Sequence, residues 1–240
     1  MSTELVSVSR QASTTIVTLA RPEKMNALSA ELVEGLIEAV DAAHAANSDL
    51  IVFRGEGKNL SAGFDFGGFE QQSEGDLLLR FVRLEILLQK IATSSALTMA
   101  LAHGKNFGAG VDLFGACMIR VAAPDSTYRM PGLKFGLLLG TRRFAALVGT
   151  QTARDVLTHT RTFGADEALD MGFVTQICPQ DQWDECIQQA KQSAQELSSG
   201  ARAQLYGARA PATSDADLAG LTRSAAEPGL KDRIRKYLGR

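Results

Sequence analysis

The chain has 240 residues, 45% hydrophobic and 22% charged, with a net charge of −2. Such a length and balance suit one domain with a sizeable core, and the near-neutral charge leaves no electrostatic footprint for a nucleic-acid partner. Cys117, Cys178 and Cys186 are odd in number and lack metal-ligand spacing, so they read as reduced thiols of a cytoplasmic protein, with no metal expected. Met1 to Gln11 carries no basic-then-apolar leader, and no apolar run is long enough to cross a bilayer.

In chain order, Leu5 to Arg10 and Thr14 to Leu19 read as a hairpin turned at Gln11-Ala12-Ser13. Ser29 is a candidate N-cap for a helix over Ala30 to Ala46, with Leu32, Leu36, Ile37 and Val40 on one face. Leu50 to Arg54 is a short buried strand. A second helix over Asp76 to Ala92 shows an apolar stripe from Leu77 to Ile91, and its polar lead-in, Glu70 to Gly75, reads as mobile. Ala96 to Ala102 is a strand, and Gly110 to Gly115 helical. Cys117 to Ala122 and Ser126 to Met130 are further strands, and Thr141 to Val148 and Thr152 to Thr158 are short helices. Phe163 to Val174 holds a short helix ended at Gly172, followed by a strand. From Asp181 the chain is helical, with breaks near Ser198-Ser199-Gly200, Pro211 and Pro228-Gly229.

Two turns rich in small residues carry the chemistry. Ala102-His103-Gly104-Lys105-Asn106-Phe107-Gly108-Ala109-Gly110-Val111-Asp112-Leu113 joins a strand to a helix, and Gly55 to Gly68 follows another strand. Small residues let the backbone approach a ligand, and the first helical turn offers unpaired N–H groups that suit an anion or a developing oxyanion. Asp112 follows one short turn later, able to face the same spot. Such turns also arise from tight packing alone, but two of them in one chain can each lend an N–H to one carbonyl oxygen.

Together with Arg21-Pro22-Glu23-Lys24-Met25-Asn26-Ala27-Leu28-Ser29, these segments resemble the crotonase (enoyl-CoA hydratase/isomerase) superfamily, collinearly over most of the chain. The resemblance implies an α/β fold: a spiral of ββα repeats over residues 1–195, then a C-terminal helical segment, 196–240, packed over the site or onto a neighbouring subunit. It implies homotrimers or dimers of trimers, and an acyl-CoA substrate with no separate cofactor. By position in the family motifs, the oxyanion donors would be the amides of Phe64 and Ala109. Alanine replaces the usual glycine at 109, which would strain the turn if φ had to be positive there. The CoA moiety would lie beside Lys24, Met25, Ala62, Asp65 and Phe66; Lys24 reads equally as an exposed loop lysine.

The carboxylates depart from the family. Hydrating an enoyl thioester is best served by two carboxylates around one water. This chain has Asp112 at the first family position, one methylene shorter than the usual glutamate, and Gly132 at the second. His103 stands where the family has asparagine and is a candidate proton shuttle or a structural hydrogen-bonder. Arg142 and Arg143 lie where relatives line the acyl pocket; they would bind an acyl carboxylate or lie on the surface. Tyr128 and Asp125 read as structural, His44 and His159 as solvated, and Trp183 as packing for the C-terminal helix. Three functions stay open: a hydratase/isomerase-like enzyme stabilising an enolate, a non-catalytic acyl-CoA binder, and a C–C hydrolase acting on a non-CoA diketone through His103 and Asp112.

Overall fold

The computed structural model describes residues 5–207 and 213–239; the break expected at Pro211 lies outside them. The hairpin forms from β1 (Val6–Gln11) and β2 (Thr14–Leu19), with Gln11 opposite Thr14, so its loop is two residues, Ala12 taking φ +55°. Helix α1 (Ala30–Ala45) follows, its Leu32 amide donating to the Ser29 hydroxyl at 3.2 Å. Strand β3 (Leu50–Gly55) leads to α2 (Glu74–Ala92). The lead-in to α2, expected to be mobile, is instead held: Phe69 is buried in a 3₁₀ turn, and Ser73 and Asp76 close a capping box.

Strand β4 (Leu97–Ala102) then gives way to β5 (Lys105–Phe107), a strand hidden inside what reads as a glycine-rich turn. After α3 (Ala109–Ala116) come β6 (Ile119–Ala122) and β7 (Thr127–Arg129). The pair α4 (Thr141–Val148) and α5 (Thr150–His159) precedes β8 (Phe163–Gly164), α6 (Ala165–Asp170) and β9 (Gln176–Ile177). Helices α7 (Trp183–Gln195), α8 (Ser199–Gly207), α9 (Ser214–Ala226) and α10 (Leu230–Leu238) complete the described chain.

The main sheet has the order β1-β2-β3-β4-β6-β9, parallel from β2 onward, and β5-β7-β8 form a smaller one. The central strands β3 and β4 are covered on both faces and are near-continuous apolar runs, whereas the edge strand β1 is exposed beyond Val6. Strand alternation still sorts them. Val17, Ile51, Phe53, Ala100 and Ala102 face a core shared with α1, α2 and α3. Ile16, Leu50, Val52, Leu97, Met99 and Leu101 face a second core, closed by Trp183, Ile187 and Ala190 of α7. Each fully buried Leu, Ile or Phe contributes about 1.5–3 kcal/mol. On the far side of α2 lies α9, and α10 lies against the 3₁₀ turn Gly132–Phe135. His44, expected to be solvated, is half-buried and shares a 2.9 Å hydrogen bond with the buried Ser94.

Among the described residues no helix is long and apolar enough to cross a membrane. The three cysteines are free.

Candidate active site

Three separated stretches are tied together by short polar side chains. Asn26 Nδ2 donates to the carbonyls of Glu56 and Asn59, at 2.9 and 3.0 Å, and its Oδ1 accepts from the Arg21 amide. Asn59 Nδ2 reaches the carbonyls of Met25 and Lys105. Asn106 accepts from the amides of Leu60 and Ser61 while donating to the carbonyls of His103 and Gly104. The Ser61 hydroxyl donates to Asn26 O and accepts from the Gly63 amide. All four residues are buried. Sequence reasoning missed this lattice; its signal was a buried-type amide in each glycine-rich stretch, where a loop otherwise leaves backbone groups unpaired.

The lattice brings Phe64 and Ala109 to one cleft. Leu28 donates to the Gly63 carbonyl and Asp65 to the Leu28 carbonyl, so along this bridge the intervening Phe64 amide faces the other way. Gly63, at φ +88°, lies so close to the second loop that a Cβ there would be 2.3 Å from Phe107 O and 3.1 Å from Ala109 N. Ala109 opens α3, where an amide has no intrahelical partner. Among the described residues neither the Phe64 nor the Ala109 amide donates to a protein acceptor. The strain considered for alanine at 109 does not arise: the positive φ falls on Gly108, at +49°.

The cleft spans about 800 Å³ of space, the solvent at its open mouth included. Its wall is apolar and aromatic. Phe64 stacks on Phe81 with centroids 4.2 Å apart, and Phe66 meets Phe64 edge-on. Phe135 and Tyr237 lie 5.1 Å apart, Tyr237 being brought in by α10. Leu137, Leu139 and Leu157 continue the wall. Asp112 also lines it, as does Gly132.

Asp112 is 8% exposed, and its Oδ1 has no hydrogen-bond partner. Burial pushes its carboxyl well above the usual carboxylate range; the Arg143 charge opposes that and Glu85 adds to it. Arg143 is not on the surface. It forms a bidentate pair with Glu85, at 2.9 and 2.5 Å, and Glu85 is 1% exposed.

The remaining candidates fall in different places. His103 is buried against Trp183, its Nε2 is 2.9 Å from Gly57 O, and it does not line the cleft. Strand parity gives the reason: Leu97, Met99 and Leu101 point to the α7 side, and His103 continues that alternation. Arg142 is half-exposed, 3.5 Å from Asp217, in a shallow groove separate from the cleft. Lys24 is exposed at the end of a 3₁₀ turn and Met25 is 52% exposed; Ala62, whose amide donates to Met25 O, joins them to the cleft. Asp65 is occupied, paired with Arg21 at 2.6 Å and accepting from the Gly67 amide. Phe66 lines the cleft.

The model of the family described as enoyl-CoA hydratase/isomerase matches residues 9–234. The chain belongs to that family. A Bordetella parapertussis crystal structure assigned to the enoyl-CoA hydratase/isomerase group superposes with a TM-score of 0.97 at 54% identity, covering 99% of this chain and 100% of that one. A Mycobacterium leprae protein named "Probable enoyl-CoA hydratase echA6" is 34% identical over 168 residues, 67% of this chain but 66% of that protein. A Dictyostelium discoideum mitochondrial Delta(3,5)-Delta(2,4)-dienoyl-CoA isomerase is 28% identical over 67% of this chain and 60% of its own length. The family thus carries both hydratase and isomerase names, and its fold is the one described above.

Proposed function

We propose that this family member moves a double bond along an acyl-CoA thioester of apolar acyl group. The Phe64 and Ala109 amides hold the thioester oxygen while Asp112 carries a proton from one carbon to another. Deprotonating carbon sends an electron pair into the conjugated C=O, and two fixed donors stabilise the oxygen charge. Reprotonation at the far carbon restores the thioester. One carboxylate suffices, because the same group takes a proton at one carbon and gives one back at the other, exchanging with solvent while it holds it. The observation that carries this reading is that, among the described residues, Asp112 is the single buried carboxylate lining the apolar cleft, with Gly132 where a second acid would stand. Hydration would need a polar seat for water and a partner acid.

The CoA moiety is assigned to the rim at Lys24, Met25 and Ala62, with Asp65 acting through Arg21 to hold the loop that bears Phe66. The diketone-hydrolase reading loses its support, because it needs His103 beside Asp112. The test is a 3-enoyl-CoA incubated with enzyme in D2O. Migration to the 2-enoyl thioester with deuterium entering the chain supports the reading. Asp112→Asn should lower turnover by about 10²–10⁴-fold with acyl-CoA affinity kept. A wild type that hydrates faster than it isomerises overturns isomerisation, and one that binds acyl-CoA but neither moves the double bond nor exchanges a proton leaves a binder instead.

A further inference from the structure

Beside Asp112, next to the main cleft, lies a small, partly open chamber. Asp112, Gly140, Arg143, Phe144, Met130 and Phe173 form most of its wall. Two polar atoms of that wall are buried and have no hydrogen-bond partner: Asp112 Oδ1, an acceptor when ionised, and Arg143 Nε, a donor. The chamber has room for about one water molecule. Gly140 keeps it open at the carboxylate, since a Cβ there would be 1.8 Å from Asp112 Oδ1. At φ +62° that position also disfavours any side chain.

Three helices supply the charges. Arg143 on α4 is gripped through both terminal nitrogens by Glu85 on α2 and approaches Asp217 on α9 at 3.8 Å. Its fork is thereby directed toward Glu85, which leaves Nε as the group available to the chamber. On the cleft side the titratable neighbours are Arg129, whose Nε donates to Thr160 O, and Tyr237.

We propose that one water bridges Arg143 Nε and Asp112 Oδ1 in this chamber, with Glu85 fixing Arg143, so that Glu85 and Arg143 are positioning residues for the carboxylate. Arg143 favours the ionised form of Asp112 through that water, and Glu85 blunts the effect by neutralising most of the guanidinium charge. A buried carboxyl that must both take and return a proton needs such a balance, since a bare Arg contact would hold it ionised. The inference rests on Asp112 being the working base of the proposed reaction, but its test reads the free protein and does not depend on turnover.

A high-resolution crystal structure of the wild type should show a water within hydrogen-bond reach of both atoms. A dry chamber, or Asp112 in direct contact with Arg143, overturns the proposal. The titration of Asp112 is then followed by the infrared carboxyl band that Asp112→Asn removes. Glu85→Gln should lower its proton affinity and Arg143→Met should raise it, each on the order of tenfold. If either single variant fails to fold, Glu85→Gln combined with Arg143→Met, which buries no lone charge, should raise the affinity relative to Glu85→Gln or, where that variant is the lost one, lie below Arg143→Met. A merely structural pair would move all variants the same way, as water enters a loosened core, and that result overturns the assignment. Failure of isomerisation with both results in hand would remove the reaction and leave the water site standing.

Discussion

Gly63→Ala probes the meeting of the two loops most directly. The added methyl would lie 2.3 Å from Phe107 O, where ordinary contact begins near 3.4 Å, so the loops must part by about 1 Å. The backbone there has φ +88°, which adds about 1 kcal/mol of strain for an L-residue. Parting the loops moves the Phe64 amide relative to that of Ala109. Losing one of two donors to a developing oxyanion costs about 3 kcal/mol, or roughly 10²-fold in rate. The assay is proton exchange into deuterated solvent at saturating acyl-CoA, with near-ultraviolet circular dichroism to establish folding. Exchange within about threefold of wild type in a folded variant would refute the reasoning, because a rate set by a shared oxyanion site cannot survive that displacement.

Other outcomes follow from the same geometry. Asp112 has a raised carboxyl pKa in the fold, so its contribution to stability is present below the ordinary carboxylate range and is lost as pH rises through the folded value. Asp112→Asn should therefore melt higher than wild type at neutral pH, by on the order of 1–3 kcal/mol, with the gap closing in acid; a lower melting point at neutral pH would contradict it. Asn106→Ala strands the Leu60 and Ser61 amides and the His103 carbonyl, while Gly104 O keeps the Thr127 amide, and chemical denaturation should show a loss of about 2–4 kcal/mol; a change under about 0.5 kcal/mol would mean water substitutes freely. His103→Gln should reduce stability while leaving turnover near wild type, and a turnover loss beyond about tenfold would return His103 to the chemistry. Gly132→Glu places a carboxyl in the cleft, its Cβ 3.2 Å from Leu137 O; measurable hydration of a 2-enoyl-CoA should appear, and its absence in a folded variant would mean that the lining, not the missing acid, decides the reaction.

How much was legible differs between backbone and side chains. The hairpin, the two amphipathic helices and the strand before each glycine-rich turn are written in local periodicity, and Ser29 caps α1 as its type and place suggest. Strand parity even held the answer for His103, although position in a motif pointed elsewhere. Strand β5 escaped notice because three residues between glycines carry too little pattern, and its pairing with β7 is made across the sheet.

What the residues determine alone is local: the order of strands and helices, the two small-residue turns, Asp112 one turn into a helix, and glycine at 132. Tertiary packing decided that Arg143 turns inward to Glu85 instead of outward to water, that Asp65 is spoken for by Arg21, and that α10 delivers Tyr237 to the cleft wall. The reason is range. Propensity and periodicity act over a few neighbouring residues, whereas the charge state of a buried carboxyl is set by desolvation and by partners on other helices, which come within reach only after the core has closed.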